Sequence, residues 1–596
     1  MAAAFVNRIL SQFYLRSDAP HPPLKVGLLL DQTTLPQCSR AILEDITRCN
    51  FATIAVAVMN ADVSPPAQGS GAGLRFTLRP ELINRALYVI YQRFVDARFR
   101  DANHPLNPVD CSDVLSGVPR LYVRPEVSGH VQRFPQDAIR ELASYRLDVL
   151  LRMGFNILRG EVLSVARCGV WSYHHGDNEY YRGLPPQCWE LLERNPVTGV
   201  VLQVLNEQLD GGLVLARGLY STASMVSVAK TQFAPYWSSE HFVIQKLYEL
   251  HVSGWDALRA RAAPSPAYRG RRRIYRTPNN FEMARWALGS VIPAVAHRLL
   301  TRRRAYTWSI GLRRAPTALD PNSRAAIVDS FRWISAPPGH FWADPFLVES
   351  QGQHWLIFED YDYALKRGAI ACAPLNSDGS LGPARTVLRR PYHLSYPCVF
   401  EHDGEIFMVP EASSTERVEL YRAQSFPERW VAERTLLGLR TVDSTPFPAQ
   451  GRWWMFTTPV VVAHSAAVTL LYSADRLDGD WHLHPTPVSA DVRVARCAGR
   501  VLDAGGALYR VSQDCSVRYG YAIRFSRILT LNATDYAEQP AGLVLPGEAP
   551  GRIGVHTYNR CGEWEVIDGQ FDVPAREAEA GRWAPALSNA AAPSPR

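Results

Sequence analysis

The sequence predicts a multidomain protein: an α/β domain of the Rossmann type with a mainly parallel sheet, followed by an all-β propeller of five blades. Three observations lead there. The chain has 596 residues, more than one core ordinarily serves, since single domains rarely exceed roughly 250 to 300 residues. Near its start, two apolar runs of strand length flank a stretch of helix length. In its second half one glycine-centred pattern returns five times, at steps close to 50 residues.

Composition sets the frame for each element. Hydrophobic residues make up 47% and charged residues 20%, a globular balance. Residues 1–22 read as a flexible tail without the apolar stretch of a secretory signal. No run of about 18 apolar residues occurs, so no spanning helix is expected, and the expected location is cytoplasmic. Ten cysteines without a C-x-x-C pair read as reduced thiols, with neither disulfides nor a metal site expected.

Residues 23–235 are expected to form the α/β domain. LKVGLLLD (Leu24 to Asp31) and FATIAVAVMN (Phe51 to Asn60) read as buried strands, joined by a helical stretch from Pro36 to Cys49. Strand, helix and strand at this spacing form a βαβ unit. A third run, LDVLLRMG (Leu147 to Gly154), precedes GVWSYHHGD, where polar residues crowd the carboxyl end of a strand. That end is where open α/β sheets bind ligands.

Residues 236–320 read as a helical, arginine-rich connector. Between Arg259 and Arg314 lie 14 arginines and one acid, Glu282. A helix is expected from Phe281 to Arg304, weakened by Pro293. It packs between domains, with arginines at its negative C-terminal end, or it lies as a peripheral helix on the anionic inner face of a membrane. No aromatic-interleaved motif accompanies the charge, so a nucleic-acid partner is not expected.

Residues 321–575 carry the repeat. QGQHWLIFED, HDGEIFMVPE, QGRWWMFTTP, AGGALYRVSQD and CGEWEVIDG each place a glycine turn before an alternating strand. Their glycines, Gly352, Gly404, Gly451, Gly506 and Gly562, step by 52, 47, 55 and 56 residues, the period of propeller blades. ADPF, YPCVF, DSTPF, CAGRV and HTYN precede the turns and read as innermost strands. Hairpin geometry then sets Asp344 near Glu359 and Asp360, Tyr396 near Glu411, and Cys497 near Asp514, collecting acids at one mouth of the channel. WSIG (Trp308 to Gly311) is expected to complete the last blade and close the ring. Residues 576–596 read as a disordered tail.

The chemistry-bearing motif is GVWSYHHGDNEYYRGLPP (Gly169 to Pro186) followed by TGVVLQVLNEQLDGGLVL (Thr198 to Leu215). From Lys25 to about Ala216 the chain resembles the catalytic domain of folate-dependent formyltransferases, through Arg182-Gly183, Thr198-Gly199-Val200 and Leu209-Asp210-x-Gly212 in order. The resemblance implies His174 as the central catalytic histidine, Asp210 as its carboxylate partner, and 10-formyltetrahydrofolate as donor. Attack of an amine on a formyl carbon needs donors for the oxyanion and a route for the departing proton. Two departures stand out. Ser172 replaces the family asparagine that helps hold the oxyanion, and Gly176-Asp177-Asn178-Glu179 replaces an apolar loop beside the folate. Arg182, Gly183, Asp177, Glu179 and Thr198 are the binding candidates.

From about Phe341 to Gly569 the chain resembles the propeller at the amino end of plant glucosamine inositolphosphorylceramide transferases and, more remotely, five-bladed furanosidase-type glycosidases. The resemblance rests on ADPF, on Gln513-Asp514 with Tyr519-Gly520, and on HTYN followed by IDG, and it implies sugar as the ligand class. Asp344, Glu359, Glu411, Asp514 and His556 are the candidate site; a glycosidase needs two of its carboxyl groups across one bond. The leading expectation is a formyl or related acyl transferase acting on an amino sugar, nucleotide-linked sugar or glycan intermediate. The alternative is a glycoside-processing or glycan-binding propeller with a non-folate or inactive transferase-fold domain.

Overall fold

The computed structural model describes residues 6–63, 83–224, 226–300, 304–316, 327–462, 467–485 and 487–575. The chain divides into two compact units, residues 1–295 with 461–465, and residues 296–460 with 466–596.

The first unit is built on a sheet of seven strands: β1 (Leu24–Leu30), β2 (Ala52–Asn60), β3 (Arg120–Val123), β4 (Val149–Arg152), β5 (Val170–His174), β6 (Val197–Val204) and β7 (Leu213–Ser221). Their order is β3-β2-β1-β4-β5-β6-β7, the first five parallel and the last two antiparallel. Strand order reverses between β1 and β4, and at such a switch point open α/β sheets take ligands outside the carboxyl ends of the strands, here those of β1, β4 and β5. Side chains alternate between two cores. Val26, Leu28 and Leu30 pack with helices Gln37–Arg48 and Phe242–Arg261, while Leu29, Val56 and Val58 pack against helix Gln136–Ser144.

Three expectations about boundaries change. Within the presumed tail, residues 6–22 hold a helix, Ile9–Gln12, bury Leu10 and Tyr14, and set Arg8 on Asp45 at 2.6 Å; a buried carboxylate needs that cation. The boundary at 235 falls inside the first unit, because Phe242, Val243, Ile244, Leu247 and Leu250 share the core of Val26 and Leu28. The helix expected from Phe281 to Arg304 is observed as Asn280–Trp286, a π turn at Ala287–Val291, and Ile292–Leu300. Pro293 lacks the N–H that would bond the carbonyl four residues earlier, and that carbonyl, of Gly289, accepts instead from Arg194. Arg304 already belongs to a strand, Arg304–Arg314. Residues 301–303 and 317–320 of the connector, residues 321–326 of the repeat region and the tail at 576–596 lie outside the described residues.

The second unit is a set of five antiparallel sheets, the five blades. Their innermost strands are His340–Ser350, Ser395–His402, Thr441–Ala449, Arg496–Cys497 and Tyr558–Cys561, each containing or beginning within one of the five motifs read from the sequence or lying at its edge. In the first four blades the glycine turn is a two-residue loop with both residues at positive φ: Gln351-Gly352, Asp403-Gly404, Gln450-Gly451 and Gly505-Gly506. That is the turn whose twist matches the strands it joins. The strand Arg304–Arg314 pairs antiparallel with Trp564–Pro574 along its whole length, so the ring closes with an early strand in the last blade, as WSIG predicted.

Candidate functional site

The first site grows from the carboxyl edge of the parallel strands. β5 ends at His174, β4 ends at Arg152, and the register sets Ser172 opposite Arg152. Asp210 follows β6 in a left-handed conformation (φ 52°). Its Oδ1 stands 3.4 Å from His174 Nδ1, and its Oδ2 accepts from the Gly183 N–H at 3.2 Å. His174 Nε2 stands 2.8 Å from the Tyr181 carbonyl oxygen.

Both ring nitrogens thus face acceptors, an arrangement that only the doubly protonated imidazolium satisfies fully. Burial alone lowers the His174 pKa, but the Asp210 carboxylate and the Tyr181 carbonyl reverse this and hold it above the ordinary value. Burial likewise raises Asp210, and His174 with the Gly183 N–H outweighs it, leaving the carboxyl below its ordinary range. The next residue behaves oppositely. His175 stacks on Tyr236 at 3.8 Å, and burial pushes it down to about 3, so it stays neutral. Gly176 keeps the ring uncrowded, since a Cβ there would lie 3.0 Å from His174 Nε2.

The remaining sequence candidates divide. Ser172 accepts from Arg152 Nη1 at 3.1 Å and donates to the Tyr173 carbonyl at 3.3 Å, so its hydroxyl proton is directed at backbone. Asp177 accepts from Arg217 at 2.7 Å, and Glu179 lies 3.4 Å from Arg217 and 3.5 Å from Arg269; the two acids anchor their loop. Arg182 is buried, donating to the Asn178 carbonyl at 3.0 Å and lying over the Tyr268 ring. Thr198 donates to Glu190 at 3.0 Å. Burial pushes Glu190 up to about 7.

Two features escaped the sequence reading. Arg152 is a guanidinium at the sheet edge whose Nε and Nη2 donate to the carbonyls of Asn156 and Phe155, and the charges of Asp210 and Asp31 lie close enough to act on it. With five N–H groups and three hydrogen bonds among the described residues, it keeps donors in reserve. The signal was present as the arginine ending LDVLLRMG. The second feature is a strap from the connector. Arg269 N–H donates to the Glu179 carbonyl, Ser265 Oγ accepts from Asn178, and Tyr275 bridges Gly183 backbone to backbone. Gly183 is required there: its φ is 108°, and a Cβ would meet the Tyr275 oxygen at 2.3 Å.

The second site lies among the innermost strands of the ring. Asp344, Tyr396 and Asp443 each stand in a left-handed conformation (φ 51°, 42° and 53°) beside a register shift. This turns the backbone N–H groups of Asp344 and Tyr396 away from the ladder. Asp344 N–H donates to Asp568, and Tyr396 N–H donates to Asp344. His556 sits between two acids, with Nδ1 2.6 Å from Asp568 and Nε2 3.4 Å from Asp344. Burial lowers its pKa, but these acids more than offset that and raise it. Asp344, His556 and Asp568 place potential ligand atoms within 4.8 Å of one another. The short contact from His556 Nδ1 is that of a charge-assisted hydrogen bond, which accounts for the cluster without a cation.

Ala343 pairs with Glu359 and Ser395 with Glu411, as the hairpin logic predicts. Burial raises Asp344 to about 6; burial with Asp443 raises Glu411 to about 8; burial, then Asp344 and Glu411, hold Glu359 well above its usual range. Glu359 Oε1 has no hydrogen bond among the described residues, although His393 Nε2 lies 3.6 Å away. Asp514 differs: it is taken up by Arg524 at 2.8 Å and Ser516 at 2.6 Å. The sequence also passed over Asp443 and Arg496, paired at 2.5 Å.

Residues 322–560 match the family model described as glucosamine inositolphosphorylceramide transferase 1, N-terminal. Over 225 residues the chain is 34% identical to glucosamine inositolphosphorylceramide transferase 1 of Oryza sativa subsp. indica, covering 36% of this chain and 30% of that protein. The protein of the same name from Arabidopsis thaliana is 33% identical over 225 residues, 37% of this chain and 29% of its own length. The chain therefore spans less than a third of these curated relatives. Methionyl-tRNA formyltransferase of Chlorobium limicola is 36% identical over 70 residues, 12% of this chain and 22% of that protein. Among solved structures, glycinamide ribonucleotide transformylase 1 from Symbiobacterium toebii superposes with a TM-score of 0.26 at 15% identity, over 39% of this chain and 89% of that one. An exo-1,5-α-L-arabinanase from a bovine ruminal metagenomic library gives 0.29 at 13% identity, over 39% of this chain and 89% of its own. Residues 322–560 thus match the named N-terminal domain, and a separate stretch of 70 residues is similar to a formyltransferase.

Proposed function

We propose that the protein is a transferase whose first unit passes a formyl or related acyl group to the amine of a sugar-containing acceptor, and whose ring of sheets holds the sugar. The observation that carries this reading is the His174–Asp210 pair at the carboxyl edge of a parallel sheet, 3.4 Å apart and tied to the Gly183 N–H.

The residues divide the work as follows. An amine attacking a carbonyl builds negative charge on oxygen and positive charge on nitrogen. Asp210 favours the protonated His174 ring, so the imidazolium offers charge and a hydrogen bond to the developing oxyanion. Arg152 adds a second positive charge beside Ser172 and takes the part of the family asparagine that Ser172 does not fill. His174 then gives its proton to the departing nitrogen as the donor's carbon–nitrogen bond breaks, and the neutral ring takes the proton of the newly bonded amine, so that it ends as it began.

For 10-formyltetrahydrofolate the loop from Gly176 to Glu179 is compatible rather than repelling. Asp177 and Glu179 are neutralised by Arg217 and Arg269, and the buried Asn178 Oδ1 is an acceptor with no hydrogen bond among the described residues, suited to a donor on a heteroaromatic ring. Asn178 and its loop backbone are the residues that would hold such a group, which supplies the formyl carbon. Incubation with 10-formyltetrahydrofolate and a panel of nucleotide-linked amino sugars should yield a product heavier by one formyl group. If no product gains that mass and the folate does not bind, the donor assignment is lost.

A second reading is favoured by one observation, the unbonded Oε1 of Glu359 among carboxyl groups whose pKa values burial raises. Glycoside chemistry uses two carboxyl groups, one as acid and the other as base or nucleophile, and the relatives matching this half carry the name glucosamine inositolphosphorylceramide transferase 1. On that reading the ring itself processes the sugar and the first unit is an accessory.

A further inference from the structure

The most exposed apolar surface of the first unit belongs to two neighbouring helical segments that neither site uses. In the first segment, Ile83, Leu87, Ile90 and Phe94 follow one another at helical spacing and are 55%, 41%, 52% and 58% exposed. In the second, Phe281, Leu288, Ile292 and Val295 do the same at 74%, 67%, 56% and 51%.

The segments are fastened side by side. The Leu87 N–H donates to Asn280 Oδ1 at 2.9 Å, Asn280 Nδ2 donates to the Ile83 carbonyl at 2.8 Å, and Tyr91 meets Trp286 edge to face at 5.2 Å. Their opposite faces, with Tyr91, Met283 and Trp286, are buried against Leu191 and Val228. Each segment is therefore apolar on both sides, one side covered and one bare. An ordinary surface helix turns charge outward.

The charge bordering the bare stripes is of one sign. Arg85, Arg93, Arg98 and Arg285 are exposed. Of the acids in these segments, Asp96 is buried and accepts from Ser227 and the Ala229 N–H, while Glu282 is paired with Arg272 at 2.6 Å. No helix among the described residues is long and apolar enough to cross a membrane. An apolar face bordered by arginines fits the surface of an anionic bilayer, where apolar side chains enter the acyl boundary and guanidinium groups meet lipid phosphates.

We infer that residues 83–95 and 280–295 together form a docking face for an anionic membrane surface. The test mixes the full chain with sedimentable vesicles of phosphatidylcholine containing about 30% phosphatidylglycerol, and with phosphatidylcholine alone. The chain should sediment with the anionic vesicles, less with the neutral ones, and bind roughly tenfold or more weakly after Phe94→Glu with Leu288→Glu. Both side chains are exposed, so the melting temperature of the double variant should match the parent. Three outcomes overturn the inference: wild-type chain left in solution, vesicle binding unchanged in the double variant, or a dimer that the double variant disperses without any vesicle binding, which assigns the face to a second copy. Vesicle binding that begins only once residues 64–82 are deleted assigns the face to that segment and overturns it equally.

Discussion

At His174 one ring stands between a carboxylate and a carbonyl, and its protonation follows from that placement. Its folded pKa is raised, so its stabilising contribution is complete below the ordinary histidine range and declines as pH climbs through the higher folded value. Asp210, lowered, contributes fully above the ordinary carboxylate range and less as pH falls through its folded value. The pair is therefore worth most between about pH 4 and 6.5. In an NMR titration the His174 ring should titrate above about 6.5, and lower after Asp210→Asn; identical curves would remove the ion pair from the account. Glu190 shows the reverse sign. Raised from 4.5 to about 7 by burial, it costs nothing where both folded and unfolded states hold the proton, and most above neutrality, where the folded carboxyl ionises against its surroundings. Glu190→Gln, which still accepts from Thr198, should raise stability by roughly 1–2 kcal/mol at pH 8 and by little near pH 4; a gain equal at both pH values would contradict that origin. His174 and Asp210 were legible because motif order survives in a linear chain. The alliance of Arg152 with Ser172 was not, since residues 20 positions apart meet only through the pairing of β4 with β5.

Among elements, the strand Arg304–Arg314 shows how connectivity and packing combine. It arrives from the far end of the ring's sequence and pairs with Trp564–Pro574, burying Ile310 and leaving Tyr306 at 59% exposure. Ile310→Ala should therefore cost about 2–5 kcal/mol by opening a cavity against Val566, whereas Tyr306→Ala should stay within about 0.5 kcal/mol. Thermal or denaturant unfolding of the two variants compares them directly, and equal losses would deny the strand its closing role. The blade period was readable because a hairpin turn demands left-handed residues, and glycine marks them in the sequence. The connector was misread for a related reason. Arginines dominated its composition, while the apolar spacing of Phe242 to Leu250 places a helix in the core irrespective of the charge that follows. Pro293 was a local signal and had its expected local effect, a π turn and a carbonyl passed to Arg194.

On the scale of the whole molecule, two units carry two sets of titratable groups, and substitution can tell their roles apart. If the first unit performs the chemistry, His174→Ala should reduce product formation at least 100-fold and leave sugar binding intact, while Asp344→Asn should weaken sugar binding and spare turnover of saturating acceptor. Product formation that survives His174→Ala and vanishes with Asp344→Asn would move the chemistry to the ring. The sequence by itself determined the succession of the two folds, the number of blades, and the histidine and carboxylate of the first unit, because periodicity and motif order are properties of the chain read in one dimension. The tertiary structure alone decided which acids are free to act. Asp177, Glu179 and Asp514 are taken by arginines, Glu359 keeps a bare oxygen, and the strap from Ser265 to Tyr275 lies on the loop beside His174, because partners, burial and the field each group feels arise from residues distant in sequence.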